Sequence, residues 1–338
     1  MRAAVYTGER KIAVEEREAP RPGPGQVLIA VDYCGICGTD LHAVFDGWGR
    51  TGAILGHEYS GRIATLGPGV GGWSVGEPVT AEPGLVCGRC RFCAGGRPSL
   101  CTEYIAALLR GDWPGAFAER VLVDVRQLHR IPPGLDTRAA ALTEPLAVAL
   151  HAIGRSGVRA GERALVTGAG PLGCLHVAAL KTMGVAEVTV SEPSPARRAA
   201  AAAAGADRVL SPEELVVPPP FADVEDPVDV VLECSGKPAA FAAGLAQLRP
   251  GGTLVIVGTG LAPPELEHNR VLLKELVVTG ALNYDASGFE DALALLASGR
   301  LPLDALLAAD DVQLADIMPA MERLAAGTAA AKLLVVPR

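Results

Sequence analysis

A chain of 338 residues is too long for one ordinary core of roughly 100 to 200 residues, so two domains are expected. Hydrophobic residues make up 49% and charged residues 20%, which excludes a disordered chain, and a net charge of −8 spread along the sequence argues against nucleic acid as a partner. No stretch approaches the roughly 18 to 20 uninterrupted apolar residues of a membrane span, and the start MRAAVYTGERKIAVEE lacks the apolar stretch of a signal peptide, so a cytoplasmic protein with no membrane partner is expected.

Up to about residue 150 the chain is rich in Gly and Pro with short β-type runs such as Val27–Val31 and Arg62–Leu66, which reads as a β-rich, loop-heavy domain. Two segments in it concentrate reactive side chains: GICGTDLH, with Cys37, Thr39, Asp40 and His42, and GHEYSG, with His57 and Glu58. A soft thiol, an imidazole and a carboxylate within some twenty residues can assemble an open zinc site, with water or an alcohol oxygen in the remaining position. A buried thiol and a hydrogen-bonded histidine fit that spacing as well. Next come Cys87, Cys90, Cys93 and Cys101 in CGRCRFCAGGRPSLC. Four thiolates so spaced close a tetrahedron around zinc and leave no open position, which makes the site structural; an iron–sulfur cluster is the competing reading. Glu144, in LTEPLAVALHA, places a carboxylate in apolar company, which calls for a compensating charge such as a metal.

From about 160 to 280 short apolar runs alternate with Ala-rich helical stretches. The runs are Ala164–Thr167, Val188–Ser191, Arg208–Leu210, Asp229–Glu233, Leu254–Val257 and Leu276–Gly280, and four of the gaps are long enough for a crossover helix. The gap from Ser211 to Pro227 is Pro-rich and reads as a loop. This pattern predicts an α/β, doubly wound parallel sheet. Directly after the first run stands GAGPLG, with Gly168, Gly170, Pro171, Leu172 and Gly173. Its glycines allow a tight turn, close approach of backbone to a pyrophosphate, and close helix–strand packing, and the helix N-terminus favours the phosphates. Glu192, nineteen residues past Gly173, is placed to accept hydrogen bonds from both adenosine ribose hydroxyls, which favours NAD. Arg197 and Arg198 follow and offer NADP's 2′-phosphate an alternative host. The tail from about Asp285 holds two amphipathic helical segments and a β run at Lys332–Val336, and is expected to pack back onto the first domain. Cys34, Cys174, Cys234, His151 and His176 read as packing or interface residues, while Phe45, Trp48, Trp113 and Tyr284 flank expected cleft segments.

Taken in order, GICGTDLH, GHEYSG, the four-cysteine segment, LTEPLAVALHA, GAGPLG and DVVLECSG resemble the zinc-containing medium-chain dehydrogenases over essentially the whole chain. Glu144 followed by Pro145, where simple alcohol dehydrogenases carry a cysteine, resembles the polyol branch of sorbitol, threonine, butanediol and aminocyclitol dehydrogenases. The resemblance implies a Rossmann dinucleotide-binding domain over 149–284 and a GroES-like catalytic domain formed by 1–148 and 285–338. It implies two zinc ions per chain, one structural on the four cysteines and one catalytic on Cys37, His57 and Glu58, with Glu144 binding zinc directly or holding its water. It also implies Thr39 as first proton acceptor, His42 as carrier to solvent, NAD as oxidant, a small polar alcohol as substrate, and a homodimer or homotetramer. The nicotinamide is expected at the sheet edge near Gly258 and Gly280.

Overall fold

The computed structural model describes residues 1–219 and 222–338. An antiparallel hairpin, β1 (Arg2–Gly8) and β2 (Lys11–Glu16), precedes β3 (Gln26–Gly35), α1 (Gly38–Phe45), β4 (Glu58–Leu66) and β5 (Pro78–Ala81). The cysteine-rich excursion follows, carrying α2 (Arg91–Ala94) and α3 (Thr102–Arg110), before β6 (Arg120–Asp124), β7 (Leu128–Arg130) and α4 (Thr137–Ala140). The long central strand β3 buries Val27, Ile29 and Val31 on one face, the alternation expected of a strand packed against a core.

A 14-residue helix, α5 (Thr143–Ser156), leads into the second half of the chain. There β8 (Arg163–Thr167), α6 (Pro171–Thr182), β9 (Glu187–Ser191), α7 (Pro195–Ala203), β10 (Arg208–Leu210), β11 (Val228–Glu233), α8 (Pro238–Gln247), β12 (Leu248–Ile256), α9 (His268–Leu273) and β13 (Val277–Gly280) alternate. Their strands form one parallel six-stranded sheet in the order β10-β9-β8-β11-β12-β13. The order reverses between β8 and β11, and a sheet of this kind binds its ligand outside the strand ends at that point. The six expected runs all become strands. β12 begins earlier than read, because Arg249-Pro250-Gly251-Gly252 resembles a turn yet is absorbed by a register shift between Val228 and Val230 of β11.

The tail divides. α10 (Gly288–Ala297) and α11 (Leu303–Leu306) precede β14 (Val312–Gln313), α12 (Ile317–Ala325) and β15 (Leu334–Val336). The last three do join the first domain: α12 packs Ile317, Ala320, Met321 and Leu324 into its core, and β14 and β15 complete the seven-stranded sheet β14-β15-β3-β4-β5-β7, with β6 paired to β3. α10 instead inserts Phe289, Ala292 and Leu296 into the core shared by α5, α6 and the parallel sheet. Its periodicity guarantees an apolar face without saying which partner covers it. The boundary expected at 148/149 falls inside α5, which runs unbroken across it.

Candidate active site

Cys37 caps α1, and Asp40 returns to accept a hydrogen bond from the Cys37 amide at 3.0 Å, so the helix start fixes the thiol's position. The other Asp40 oxygen accepts from the Gly56 amide at 3.2 Å and lies 3.7 Å from His57 Nδ1, which ties the two motifs together through one carboxylate that is only 3% exposed. Gly56 adopts φ +89°, and a Cβ there would strike Cys34 Sγ and the Phe117 ring, so the turn that delivers His57 needs glycine. A Cβ on Gly35 would likewise collide with Glu58 Oε2. The outcome is a cluster in which Cys37 Sγ, a His57 ring nitrogen and a Glu58 oxygen all lie within 4.8 Å of one another. This soft–borderline–hard donor set suits zinc. Burial disfavours the charged imidazole, but Asp40 and the Cys37 sulfur outweigh it and hold the His57 pKa well above its usual range.

Glu144, in the first turn of α5, is buried beside this cluster without being one of its three members. Burial, reinforced by Glu58 and Asp40 and opposed by His57 and Lys332, pushes its pKa up to about 7. Thr39 Oγ1 lies 3.7 Å from Cys37 Sγ. His42, in the last turn of α1, pairs Nδ1 with Asp46 Oδ2 at 2.6 Å and stacks on Trp48 at 4.7 Å between ring centroids.

In the excursion, Cys90 Sγ lies 3.6 Å from Cys93 Sγ and Cys87 Sγ 4.0 Å from Cys93 Sγ, with Cys101 completing the set of four. Four sulfurs about 2.3 Å from a central zinc would lie roughly 3.8 Å apart. Disulfides need sulfurs at about 2 Å, and all eight cysteines are free. Backbone N–H groups and neighbouring sulfurs bring Cys90 down to about 6, while burial and the surrounding sulfurs push Cys93 up to about 12. Adjacent thiolates repel, and a dication removes that conflict.

The GAGPLG segment joins β8 to α6 at the switch point. Gly168 takes φ +92°, and a Cβ on Gly173 would collide with the Gly168 carbonyl oxygen, whereas a Cβ on Gly170, the N-cap of α6, would meet nothing within 4 Å. That open face is what a pyrophosphate requires. Pro171 opens the helix and Leu172 accepts a hydrogen bond from His176 Nδ1 at 2.8 Å, assigned as the protonated nitrogen because its partner is a carbonyl.

Residues 23–133 match the alcohol dehydrogenase GroES-like domain, and residues 171–298 match the zinc-binding dehydrogenase domain. The chain is 37% identical to sorbitol dehydrogenase of Halalkalibacterium halodurans over 88% of both chains, and 36% identical to L-threonine 3-dehydrogenase of Pyrococcus furiosus over 86% of both. A zinc-binding dehydrogenase of Sinorhizobium meliloti, solved with NADP, superposes with a TM-score of 0.86 at 31% identity over 99% of both chains. The chain belongs to the zinc-containing medium-chain dehydrogenases.

Two features of this dehydrogenase depart from what its sequence displays, the engagement of an arginine pair and that of a lysine. Arg197, which with Arg198 offered a 2′-phosphate an alternative host and otherwise read as a surface helix residue, donates Nε to Ala329 O at 3.2 Å and Nη2 to Leu324 O at 2.7 Å, tying α7 to the end of α12. Arg198 is likewise turned onto the Glu192 and Pro193 carbonyls. The carbonyls at a helix C-terminus lack intrahelical donors, and a nearby guanidinium supplies them. Glu192 accepts from the Ala169 amide at 2.8 Å and the Ser194 amide at 2.9 Å, which binds the glycine loop to the end of β9. The second departure is Lys332, which sequence reasoning passed over. Its Nζ reaches both Glu58 oxygens, at 2.6 and 2.7 Å, and the Ile36 carbonyl at 3.2 Å, with both side chains at most 3% exposed. The available signal was a lone lysine in the apolar run AAAKLLVV.

Proposed function

We propose that this dehydrogenase oxidises a secondary hydroxyl of a small polar substrate with NAD as hydride acceptor, using one catalytic and one structural zinc. The convergence of Cys37, His57 and Glu58 within 4.8 Å carries the reading. Those three would hold the catalytic ion, Cys87, Cys90, Cys93 and Cys101 the structural one, and when bound the catalytic zinc lowers the pKa of a coordinated oxygen while NAD accepts the hydride.

The remaining steps belong to the chain. Asp40 orients the His57 ring and fixes the Cys37 amide, so two of the ligands are set before metal arrives. Lys332 occupies both Glu58 oxygens, so Glu58 would hold the ion only in competition with an ion pair, and Glu144, buried beside the cluster, is the second carboxylate that would bind the ion or hold its water. Thr39 accepts the substrate's proton beside Cys37, and His42, oriented by Asp46 and Trp48, passes it to solvent. At the cofactor, Gly168, Gly170, Pro171, Leu172 and Gly173 form the pyrophosphate cradle and Glu192 faces the adenosine ribose. NAD is preferred to NADP because Arg197 and Arg198 are engaged with backbone carbonyls and Glu192 repels a 2′-phosphate.

The catalytic unit is assigned to 1–148 and 285–338 and the nucleotide unit to 149–284, with α10 crossing onto the latter's core. A homodimer or homotetramer is favoured by the edge strand β13, where Val277 and nearby Leu272 and Leu273 are 51%, 70% and 56% exposed. No helix among the described residues is long and apolar enough to cross a membrane, and eight free cysteines suit a reducing cytoplasm. The test is NADH formation from D-sorbitol, L-threonine, 2,3-butanediol and an aminocyclitol by wild type and Cys37→Ser. Turnover of one of these that the variant loses supports the reading; silence of the zinc-replete wild type with every secondary alcohol refutes it.

A further inference from the structure

Two buried carboxylates flank β8 at the edge of the parallel sheet, Glu192 just after β9 and Glu233 at the end of β11, 4% and 2% exposed. Only the first has a part in the proposed mechanism. Glu233 stands level with Thr167 of β8 and Ile256 of β12, on the last rung before the crevice where the strand order reverses. Its carboxylate is met by neutral donors. Oε1 accepts from the Ser235 amide at 2.8 Å, the Gly236 amide at 3.1 Å and the hydroxyls of Ser235 and Thr167, and Oε2 accepts from the Gly236 amide at 3.1 Å. A buried charge is costly unless hydrogen-bonded, and here two successive backbone N–H groups close on one oxygen in the manner of an anion nest.

The loop so held is packed backbone against backbone. A Cβ on Gly236, at φ +66°, would strike the Thr259 carbonyl oxygen, and one on Gly258 would strike the Gly236 amide. A Cβ on Gly168 would lie 2.9 Å from Ser235 Cβ, so the same loop abuts the first glycine of GAGPLG. The main chain of Glu233 completes the arrangement, its carbonyl accepting from the Val257 and Gly258 amides at 2.9 and 2.7 Å. Close-packed backbone has no rotamers with which to absorb a shift, so the position of this carboxylate is passed on to the loops after β11 and β12.

GAGPLG itself is tied from the opposite side. Glu192 holds the Ala169 amide, and the Gly168 amide donates to the Ser191 carbonyl at 2.9 Å. The two carboxylates thus divide the crevice, Glu192 serving the β9 side and Glu233 the side of β12 and β13.

We infer that Glu233 is a positioning residue for the nicotinamide half of the dinucleotide. Through the backbone of Ser235, Gly236 and Gly258 it sets the part of the crevice toward β12, and leaves the adenosine half to Glu192 and GAGPLG. The inference rests on the dehydrogenase reading above and deepens it by naming a residue that acts on the cofactor through the loops it holds.

The test is calorimetric titration of NAD, and of AMP, which lacks the nicotinamide half, into zinc-replete wild type, Glu233→Ala and Glu233→Gln, with thermal melting to verify folding. Glu233→Ala should weaken NAD binding about tenfold and leave AMP within about twofold of wild type. Glu233→Gln keeps an acceptor for the Ser235 amide and should recover part of that loss. If Glu233→Ala does not fold, Glu233→Gln should by itself weaken NAD roughly two- to fivefold with AMP unchanged. Equal weakening of AMP and NAD in a folded variant would make Glu233 a support for the whole crevice and overturn the inference, as would unchanged NAD binding in both variants. Either result leaves the dehydrogenase reading standing. Wild type that binds neither nucleotide refutes that reading and takes the inference with it.

Discussion

Replacing Lys332 by Met isolates the ion pair on which the catalytic cluster is built. Glu58 is 1% and Lys332 3% exposed, and at 2.6 Å their attraction is roughly 6 kcal/mol at an effective dielectric of about 20. Most of that offsets desolvation, but removing one partner strands a buried carboxylate, for which a loss of about 3–5 kcal/mol is expected. Zinc bound to the cluster would neutralise Glu58 in lysine's absence. Lys332→Met should therefore lose about 3–5 kcal/mol in denaturant unfolding of zinc-depleted protein, and distinctly less when zinc is present. The double variant Glu58→Gln, Lys332→Met should recover stability relative to the single one. A Lys332→Met protein within about 1 kcal/mol of wild type in both metal states would refute this reasoning.

The dinucleotide loop predicts a contrast between two conservative changes: Gly173→Ala should destabilise the fold through collision with the Gly168 carbonyl, while Gly170→Ala should melt like wild type yet bind NAD at least tenfold more weakly, as titration of each variant would show. His42→Ala should lower kcat by about a hundredfold if His42 carries the proton, with partial rescue by added imidazole, and an unchanged kcat would make His42 an ordinary surface residue. Glu144 supplies a pH prediction for zinc-depleted protein. Its folded pKa of about 7 lies above the 4.5 of an ordinary glutamate, so the native state keeps a proton that the unfolded state has lost, and stability falls as pH rises through that window. The difference corresponds to roughly 3 kcal/mol, so Glu144→Gln should flatten the pH dependence of unfolding between about pH 5 and 7.5.

The motifs legible in the sequence were those whose function depends on local spacing. Cys87, Cys90, Cys93 and Cys101 carry their geometry in fifteen residues, and GAGPLG carries its own between a strand and a helix. The doubly wound sheet was legible for a similar reason, since each buried parallel strand is a short apolar run. Contacts made across the chain were not. Lys332 meets Glu58 across a sequence separation of 274, and nothing near either residue names the other. Arg197 looked available because a helix surface in sequence does not show the carbonyls of Leu324 and Ala329 that will be folded against it. α10 likewise displayed an apolar face whose partner, α5 and the parallel sheet, only tertiary packing decides. The Arg97–Asp285 contact is another product of distant segments, brought together across a sequence separation of 188.

The most direct test of two zinc sites with one catalytic is the metal content of purified wild type and Cys37→Ser, measured beside NADH formation from a secondary alcohol. Two zinc ions per chain in the wild type, one in the variant, and activity lost with the missing ion are expected from Cys37 in the open site and four cysteines in the closed one. A variant that keeps both ions, or that loses one and still forms NADH, would contradict the account.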